Sequence, residues 1–266
     1  MKSQKCREWD NRDDIEHRLE SLLMKEGDKD YRKTMDEVFD MRTLSLLSKL
    51  ISNRILDTVD FPISTGKEGN VFRAKSPEGE NLAVKIYRTS SANFKAINKY
   101  ILGDPRFHGT SNNKYKLLST WCLKEYKNLI RLKNAGVKVP EPIKALGNIL
   151  VMQYIGEDDY PAPLIKNVHP DVLGAPDHIF ETVIENMRRA YVDARFVHAD
   201  MSEYNILFWE GDVWIIDVAQ GVVIEHPLAD EWLVRDVGNV CRFFKSLGVD
   251  ARPEDSLKFV KGEGEK

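Results

Sequence analysis

Asp200 and Asn205 stand five residues apart in His198-Ala199-Asp200-Met201-Ser202-Glu203-Tyr204-Asn205, and Asp217 follows after an apolar stretch. An aspartate and an asparagine at this spacing suit phosphoryl transfer, in which the carboxylate accepts the proton of an attacking hydroxyl and the amide oxygen ligates a metal. Asp217 is then the second metal ligand. One carboxylate and one amide oxygen favour a hard cation, Mg²⁺ or Mn²⁺, with positions left open for phosphate oxygens. The same three residues would also serve as plain turn polar groups between a helix and a hairpin.

The elements that must position them are visible in the flanking pattern. Ile206 to Ile216 is apolar on two arms broken at Glu210-Gly211-Asp212, the pattern of two short strands and a tight turn. Folding at Gly211 places Asn205 and Asp217, each six residues away, opposite one another at the open end. Upstream, Phe61 to Phe72 is strand, small-residue turn and strand, with Ser64-Thr65-Gly66-Lys67-Glu68-Gly69-Asn70-Val71 at its centre. Glycines there let backbone amides approach phosphate oxygens, although a plain hairpin turn has the same composition. Asn81 to Tyr87 is a third strand whose Lys85 is the one charge in an apolar run, as in a strand that pairs a lysine with α- and β-phosphates. A helix over about Tyr115–Asn134 carries an apolar stripe of Leu118, Trp121, Cys122, Leu129 and Leu132, with Glu125 in its middle. A lone buried carboxylate costs several kcal/mol, on the order of a broken ion pair. Either the stripe is open there or a cation meets Glu125, and Lys85 is the natural partner.

In this order (glycine turn, Lys85, Glu125, Asp200-x4-Asn205, Asp217) the motifs resemble those of the RIO family of atypical protein kinases, most closely its first subfamily, over roughly residues 35–250. The residues that carry the likeness are Ser64 to Val71, His198 to Asn205 and Ile216-Asp217-Val218-Ala219-Gln220. The resemblance implies an α+β, protein-kinase-like two-lobed fold. Only 49 residues follow Asp217, which leaves no room for an activation segment or substrate-docking helices and implies a truncated C-lobe. It further implies ATP with Mg²⁺ or Mn²⁺, and a protein acceptor bearing Ser or Thr. Lys85 and the Ser64–Val71 turn would hold the nucleotide, Glu125 would orient Lys85, Asn205 and Asp217 would bind metal, and Asp200 would be the base. The hinge is implied at Leu150–Gly156, with Met152 at the back of the adenine pocket and the Gln153 carbonyl and Ile155 amide facing the base. Family members also suggest a role with the maturing small ribosomal subunit, its rRNA and proteins. A second mode is an ATPase switch in which Asp217 is transiently phosphorylated. A small-molecule kinase also uses His-x-Asp-x4-Asn, but the Ser64–Val71 motif disfavours it. Where the family usually has Ala, Gly-Asp-Leu and Ser-Gln-Ser, this chain has Gly69, Ala199-Asp200-Met201 and Ala219-Gln220-Gly221. None of these exchanges removes a group with an assigned role.

The expected organisation is a helical extension over 1–57, an N-lobe over 58–153, a C-lobe over 154–255 and a charged tail over 256–266. Val38, Leu44, Leu47, Leu50, Ile51 and Ile55 would be the buried face of the extension. Asp177 would cap a helix carrying Ile179, Phe180, Val183, Met187, Ala190 and Tyr191. The last helix would run over about Ala229–Leu247 with Asp236 bracing the catalytic loop. A basic span, residues 86–138, holds eleven Lys or Arg against Asp104 and Glu125, a local +9 in a chain of net charge −3. With Tyr87, Phe94, Tyr100, Phe107, Tyr115, Trp121 and Tyr126 interleaved, it fits either contact with nucleic-acid phosphates or a solvated mobile loop, about 89–113, beside the nucleotide. Cys6, Cys122 and Cys241 lack zinc spacing and read as reduced thiols of a cytoplasmic protein. No run approaches the roughly 18 apolar residues of a membrane span, and the charged N-terminus lacks a signal-peptide core.

Overall fold

The structure is a computed structural model that describes residues 40–66, 69–88, 94–101, 104–107 and 113–263. The N-terminal charged residues, Val38, and Lys67 and Glu68 of the glycine turn lie outside the described residues.

The N-lobe is a five-stranded antiparallel sheet in the order β1 (Thr58–Thr65), β2 (Gly69–Lys75), β3 (Asn81–Tyr87), β5 (Ile149–Gln153), β4 (Pro142–Leu146). Side chains alternate along β3. Leu82, Val84 and Ile86 join Phe72, Ile149 and Val151 in one core, which helix α1 (Met41–Ser52) closes with Leu47 and Leu50. Leu44, Ile51 and Ile55 of the expected buried face are only partly covered. On the other face, Lys85 and Tyr87 point toward helix α3 (Lys114–Asn134), which is capped by Asn113 accepting from Lys116 N. Two adjoining stripes of α3 are buried. One is Leu118, Cys122, Glu125, Leu129 and Leu132, and the other is Leu117, Trp121, Lys124 and Asn128.

The expected mobile loop contains a helix, α2 (Phe94–Ile101), whose Ile97 and Ile101 are buried in the core. Its Tyr100 ring lies 5.0 Å from Trp232 of the C-lobe. Helical spacing of two buried isoleucines outweighed the polar composition around them. The basic span is likewise not a free stripe. Tyr87 and Trp121 are buried, Lys124 is fully buried, and Arg106 forks onto the buried Asp104.

After β5 lie a small hairpin, β6 (Gly156–Glu157) and β7 (Tyr160–Pro161), then helices α4 (Pro170–Leu173) and α5 (Pro176–Val192). Asp177 is not the cap of α5. Pro176 takes the first helical position, where its fixed φ is suited, so Asp177 falls inside the first turn. Strand β8 (Phe196–Val197) leads into the Asp200 loop, and the hairpin β9 (Ile206–Trp209) and β10 (Asp212–Ile215) leads to Asp217. After β11 (Val222–Val223) come α6 (Ala229–Ser246) and α7 (Pro253–Val260). Helix α7 crosses the expected boundary between lobe and tail, because Val260 and Ser256 are buried against the C-lobe. No helix among the described residues is long and apolar enough to cross a membrane.

Candidate active site

The site lies where the β3 lysine, the α3 glutamate and the two C-lobe loops meet. Lys85 Nζ donates to Glu125 Oε1 at 2.8 Å and to Asp217 Oδ1 at 2.8 Å, so one ammonium ties the N-lobe sheet to helix α3 and to the C-lobe. Burial alone would push this ammonium down, but Asp217 and Glu125 together hold it above its ordinary value. Glu125 is 1 % exposed and also accepts from the Tyr87 hydroxyl, so both carboxylate oxygens are engaged. The expected cation for the buried glutamate is present. Its contact with Asp217, and the Tyr87 contact two residues along β3, were not expected.

The hairpin register corrects one expectation. Glu210 and Gly211 both have positive φ, so the turn centres between them, as in a two-residue loop. Trp209 therefore pairs with Asp212 and Ile206 with Ile215. Asn205 thus faces Ile216, whose N–H donates to the Asn205 carbonyl at 3.0 Å, and Asp217 sits one residue past its expected place. Asp217 itself has φ 59 and ψ 52, a left-handed conformation that swings the chain into a 3₁₀ turn, Val218–Gln220. His198 fixes the same corner from below. It is buried, which pushes its imidazole below the ordinary value, and its Nε2 lies 3.0 Å from the Ile216 carbonyl.

Asp200 stands on a loop braced by α6. Asp236 accepts from the N–H groups of Ala199 and Met201 at 2.7 and 3.1 Å, and Arg235 donates to the Ala199 carbonyl. Burial pushes the Asp236 carboxyl up to about 7, against Arg235 and the two backbone donors. The bracing explains how Ala199 keeps φ 61 where the related pattern has glycine: the left-handed conformation costs an alanine on the order of 1 kcal/mol, and these bonds hold it. The exchange is therefore not neutral for the backbone. Burial, and after it the Asp217 charge, raise Asp200 above the ordinary carboxylate value, against His198, Arg235 and the Asn205 hydrogen bond.

Asn205 Nδ2 donates to the Asp200 carbonyl at 2.8 Å, and among the described residues no donor reaches Asn205 Oδ1. Lys85 donates to Asp217 Oδ1, and among the described residues no donor reaches Oδ2 of this half-exposed side chain. Two hard oxygens at one corner fit a cation that takes its other ligands from phosphate and water. No group of three His, Cys, Asp or Glu side chains among the described residues makes a fuller cage.

Helix α3 also grips the loop after Asp217. Lys124 Nζ donates to the carbonyls of Ala219 (2.8 Å) and Gly221, and Asn128 Nδ2 to those of Val218 (2.7 Å) and Gly221 (3.2 Å). Burial, and then Arg106, bring the Lys124 ammonium down to about 7. These two residues were missed because lysine and asparagine usually face water. Their positions three and seven residues after Trp121, on a buried stripe, were the available signal.

Gly221 stands where the related pattern has serine, and a Cβ there would clash with the tip of the Phe196 ring. Gly221→Ser is expected to destabilise the protein by about 1–3 kcal/mol through overpacking. Phe196→Leu should recover part of that loss in the double variant, measured by denaturant unfolding. At Gly69, a Cβ would lie 2.5 Å from the Ile86 carbonyl oxygen, so the absence of a side chain there is a packing requirement of this sheet.

In the glycine turn, Ser64, Thr65 and Gly66 are exposed, while Gly69 and Val71 are half-buried and Asn70 is buried. Arg88 donates to the Gly66 carbonyl at 2.8 Å and so ties the turn to the end of β3. In the expected hinge, Met152 pairs with Ala83 across the sheet. Gln153 N–H donates to the Glu141 carbonyl at 2.8 Å, and the Ile155 carbonyl accepts from Ala162 N–H at 2.9 Å. Those bonds use the opposite groups from the Gln153 carbonyl and Ile155 amide expected to face a base.

A family model described as RIO domain matches residues 70–257. Human serine/threonine-protein kinase RIO1 is 47 % identical over 219 residues, which are 82 % of this chain and 38 % of that protein. The RIO-type serine/threonine-protein kinase Rio1 of Haloferax volcanii is 39 % identical over 248 residues, 93 % of this chain and 84 % of that one. This chain thus spans well under half of the human relative and most of the archaeal one. Among solved structures, the Rio2 kinase–ADP/Mg²⁺–phosphoaspartate complex from Chaetomium thermophilum superposes with a TM-score of 0.62 at 22 % identity, over 96 % of this chain and 76 % of that chain, a likeness of fold.

Proposed function

The chain belongs to the RIO domain family, and on that premise we propose that it is an ATP-dependent phosphotransferase, an atypical serine/threonine protein kinase. The observation that carries the reading is the double ion pair of Lys85 with Glu125 and Asp217, beside an Asp200 loop braced by Asp236. Lys85 holds the α- and β-phosphates, and Glu125 with Tyr87 keeps it aimed. Asp217 shares the ammonium here, so bound phosphate and Asp217 compete for Lys85. Asn205 and Asp217 hold Mg²⁺, or Mn²⁺ in its place. When bound, the metal neutralises phosphate charge and orients the γ-phosphate. The Ser64–Val71 turn covers the phosphates, and Met152, Gln153 and Ile155 line the adenine end. Asp200 accepts the proton of the acceptor hydroxyl.

The acceptor is a protein Ser or Thr, and the setting is the immature small ribosomal subunit in the cytoplasm. Buried, free Cys122 and Cys241 fit a reducing compartment. A second reading is an ATPase switch that passes through an aspartyl phosphate at Asp217. It is favoured by the half-exposed Asp217 carboxylate and by the phosphoaspartate in the Rio2 complex. The test is incubation with γ-labelled ATP, alone and with immature small-subunit particles, followed by hydroxylamine. An acyl phosphate has a carbonyl carbon open to attack and loses its label, whereas a phosphoserine ester keeps it. Stable label on Ser or Thr is the result expected of a kinase, and hydroxylamine-labile label mapping to Asp217 would favour the switch. No label on protein and no release of phosphate would refute both.

A further inference from the structure

The carboxylate of Asp200 is held through one oxygen. Its Oδ2 accepts from Gln220 Nε2 at 3.0 Å and from Asn205 Nδ2 at 3.4 Å, and among the described residues no donor reaches Oδ1. The Asn205 contact is the weaker one, because that amide makes its short bond to the Asp200 carbonyl. Gln220 therefore supplies the main hold on the Asp200 side chain. The terminal torsion of an aspartate is broad and roughly two-fold, so an unanchored carboxylate would present either oxygen to the cleft.

Gln220 is placed for this task by the turn that carries it. It ends the 3₁₀ turn Val218–Gln220, which begins one residue after Asp217. The backbone around it is fixed by Asn128 on the Val218 carbonyl and by Lys124 on the carbonyls of Ala219 and Gly221. Val218 and Ala219 are buried, whereas Gln220 is half-buried and makes its one hydrogen bond among the described residues to Asp200. A rigid turn that presents a single amide to a single carboxylate is a means of orienting that carboxylate.

We infer that Gln220 is a positioning residue for phosphoryl transfer, one that turns the Asp200 carboxylate so that Oδ1 meets the acceptor hydroxyl or water. The inference rests on the phosphotransfer reading above. In that step the acceptor oxygen bonds to the γ-phosphorus, the bond from the γ-phosphorus to the β,γ-bridging oxygen breaks, and ADP leaves with the electron pair. The acceptor proton passes to Asp200 Oδ1. Gln220 gives up no proton and acts only through Asp200.

The test uses the full chain and γ-labelled ATP, with phosphate release and protein labelling as readouts. Gln220→Ala should lower kcat roughly 10- to 100-fold, the worth of a hydrogen bond to a charged group. The KM for ATP should not move and the protein should stay folded at the assay temperature, since the one hydrogen bond of Gln220 among the described residues goes to Asp200 and none goes to the Lys85 cluster. Gln220→Asn, one methylene short, should not restore the rate. In an Asp200→Ala background, Gln220→Ala should have no further effect. Unchanged kcat in Gln220→Ala, a loss explained by lower stability or weaker ATP binding, or additive losses in the double variant would each overturn the assignment. If Asp200→Ala itself keeps full turnover, the phosphotransfer reading fails and takes this inference with it. If Asp200→Ala is impaired and Gln220→Ala is not, only the role of Gln220 falls.

Discussion

Asp200→Ala is expected to lose about 10² to 10⁴ in turnover while still binding ATP, the range that a positioned general base contributes. That corresponds to roughly 3 to 5 kcal/mol of barrier. The retention of binding follows from the geometry. Asp200 makes no contact with Lys85, and the loop keeps its shape through Asp236, whose two bonds go to the backbone of Ala199 and Met201 and survive the substitution. Steady-state kinetics with ATP affinity measured separately check both halves of the statement. Unchanged turnover would place the base elsewhere.

Lys85→Met is expected to abolish activity and to destabilise the fold by about 3–5 kcal/mol, the cost of leaving a buried charge without its partner. The cost falls on Glu125, which is 1 % exposed and among the described residues keeps only the Tyr87 hydroxyl. Asp217 is half-exposed and can turn to water, so it adds little. Replacing both Lys85 and Glu125, as Lys85→Met with Glu125→Gln, should recover much of the stability and none of the activity. In activity the two changes should cost little more than Lys85→Met alone, because residues that act as a unit are not additive. Denaturant unfolding and turnover on the four proteins of the cycle decide this. Fully additive losses in both would make Glu125 an ordinary buried acid with no share in the site.

The parts of the site legible in the sequence were those where a residue type contradicts its surroundings. Glu125 on an apolar stripe and Lys85 in an apolar strand each demand an opposite charge, and the sequence alone pairs them. The Asp200-x4-Asn205 spacing was legible because a loop of fixed length carries it. What escaped notice was set by backbone geometry. The positive φ of both Glu210 and Gly211 fixes the hairpin register and moves Asp217 one residue along, and residue types alone do not distinguish that turn from one centred on Gly211. The Lys124 and Asn128 grip on the loop after Asp217 is directed at carbonyls, which every residue possesses, so no partner side chain announces it. Helix α2 was hidden because, among its described side chains, the buried ones are two isoleucines, Ile97 and Ile101, and α7 because its neighbours in sequence are charged. The empty Cβ position at Gly221 is legible only once Phe196 is known to fill it.

Metal dependence tests the central claim most directly. Transfer of the γ-phosphate from ATP should be measured against Mg²⁺ concentration in the wild type, in Asn205→Ala and in Asp217→Asn. If Asn205 Oδ1 and Asp217 Oδ2 are the two protein oxygens that hold the cation, transfer is absent in chelator and rises with Mg²⁺ in the wild type, while each variant needs more Mg²⁺ or fails to respond to it. Transfer that persists at the wild-type rate in chelator, or Mg²⁺ titrations of both variants that overlay the wild type, would contradict the account.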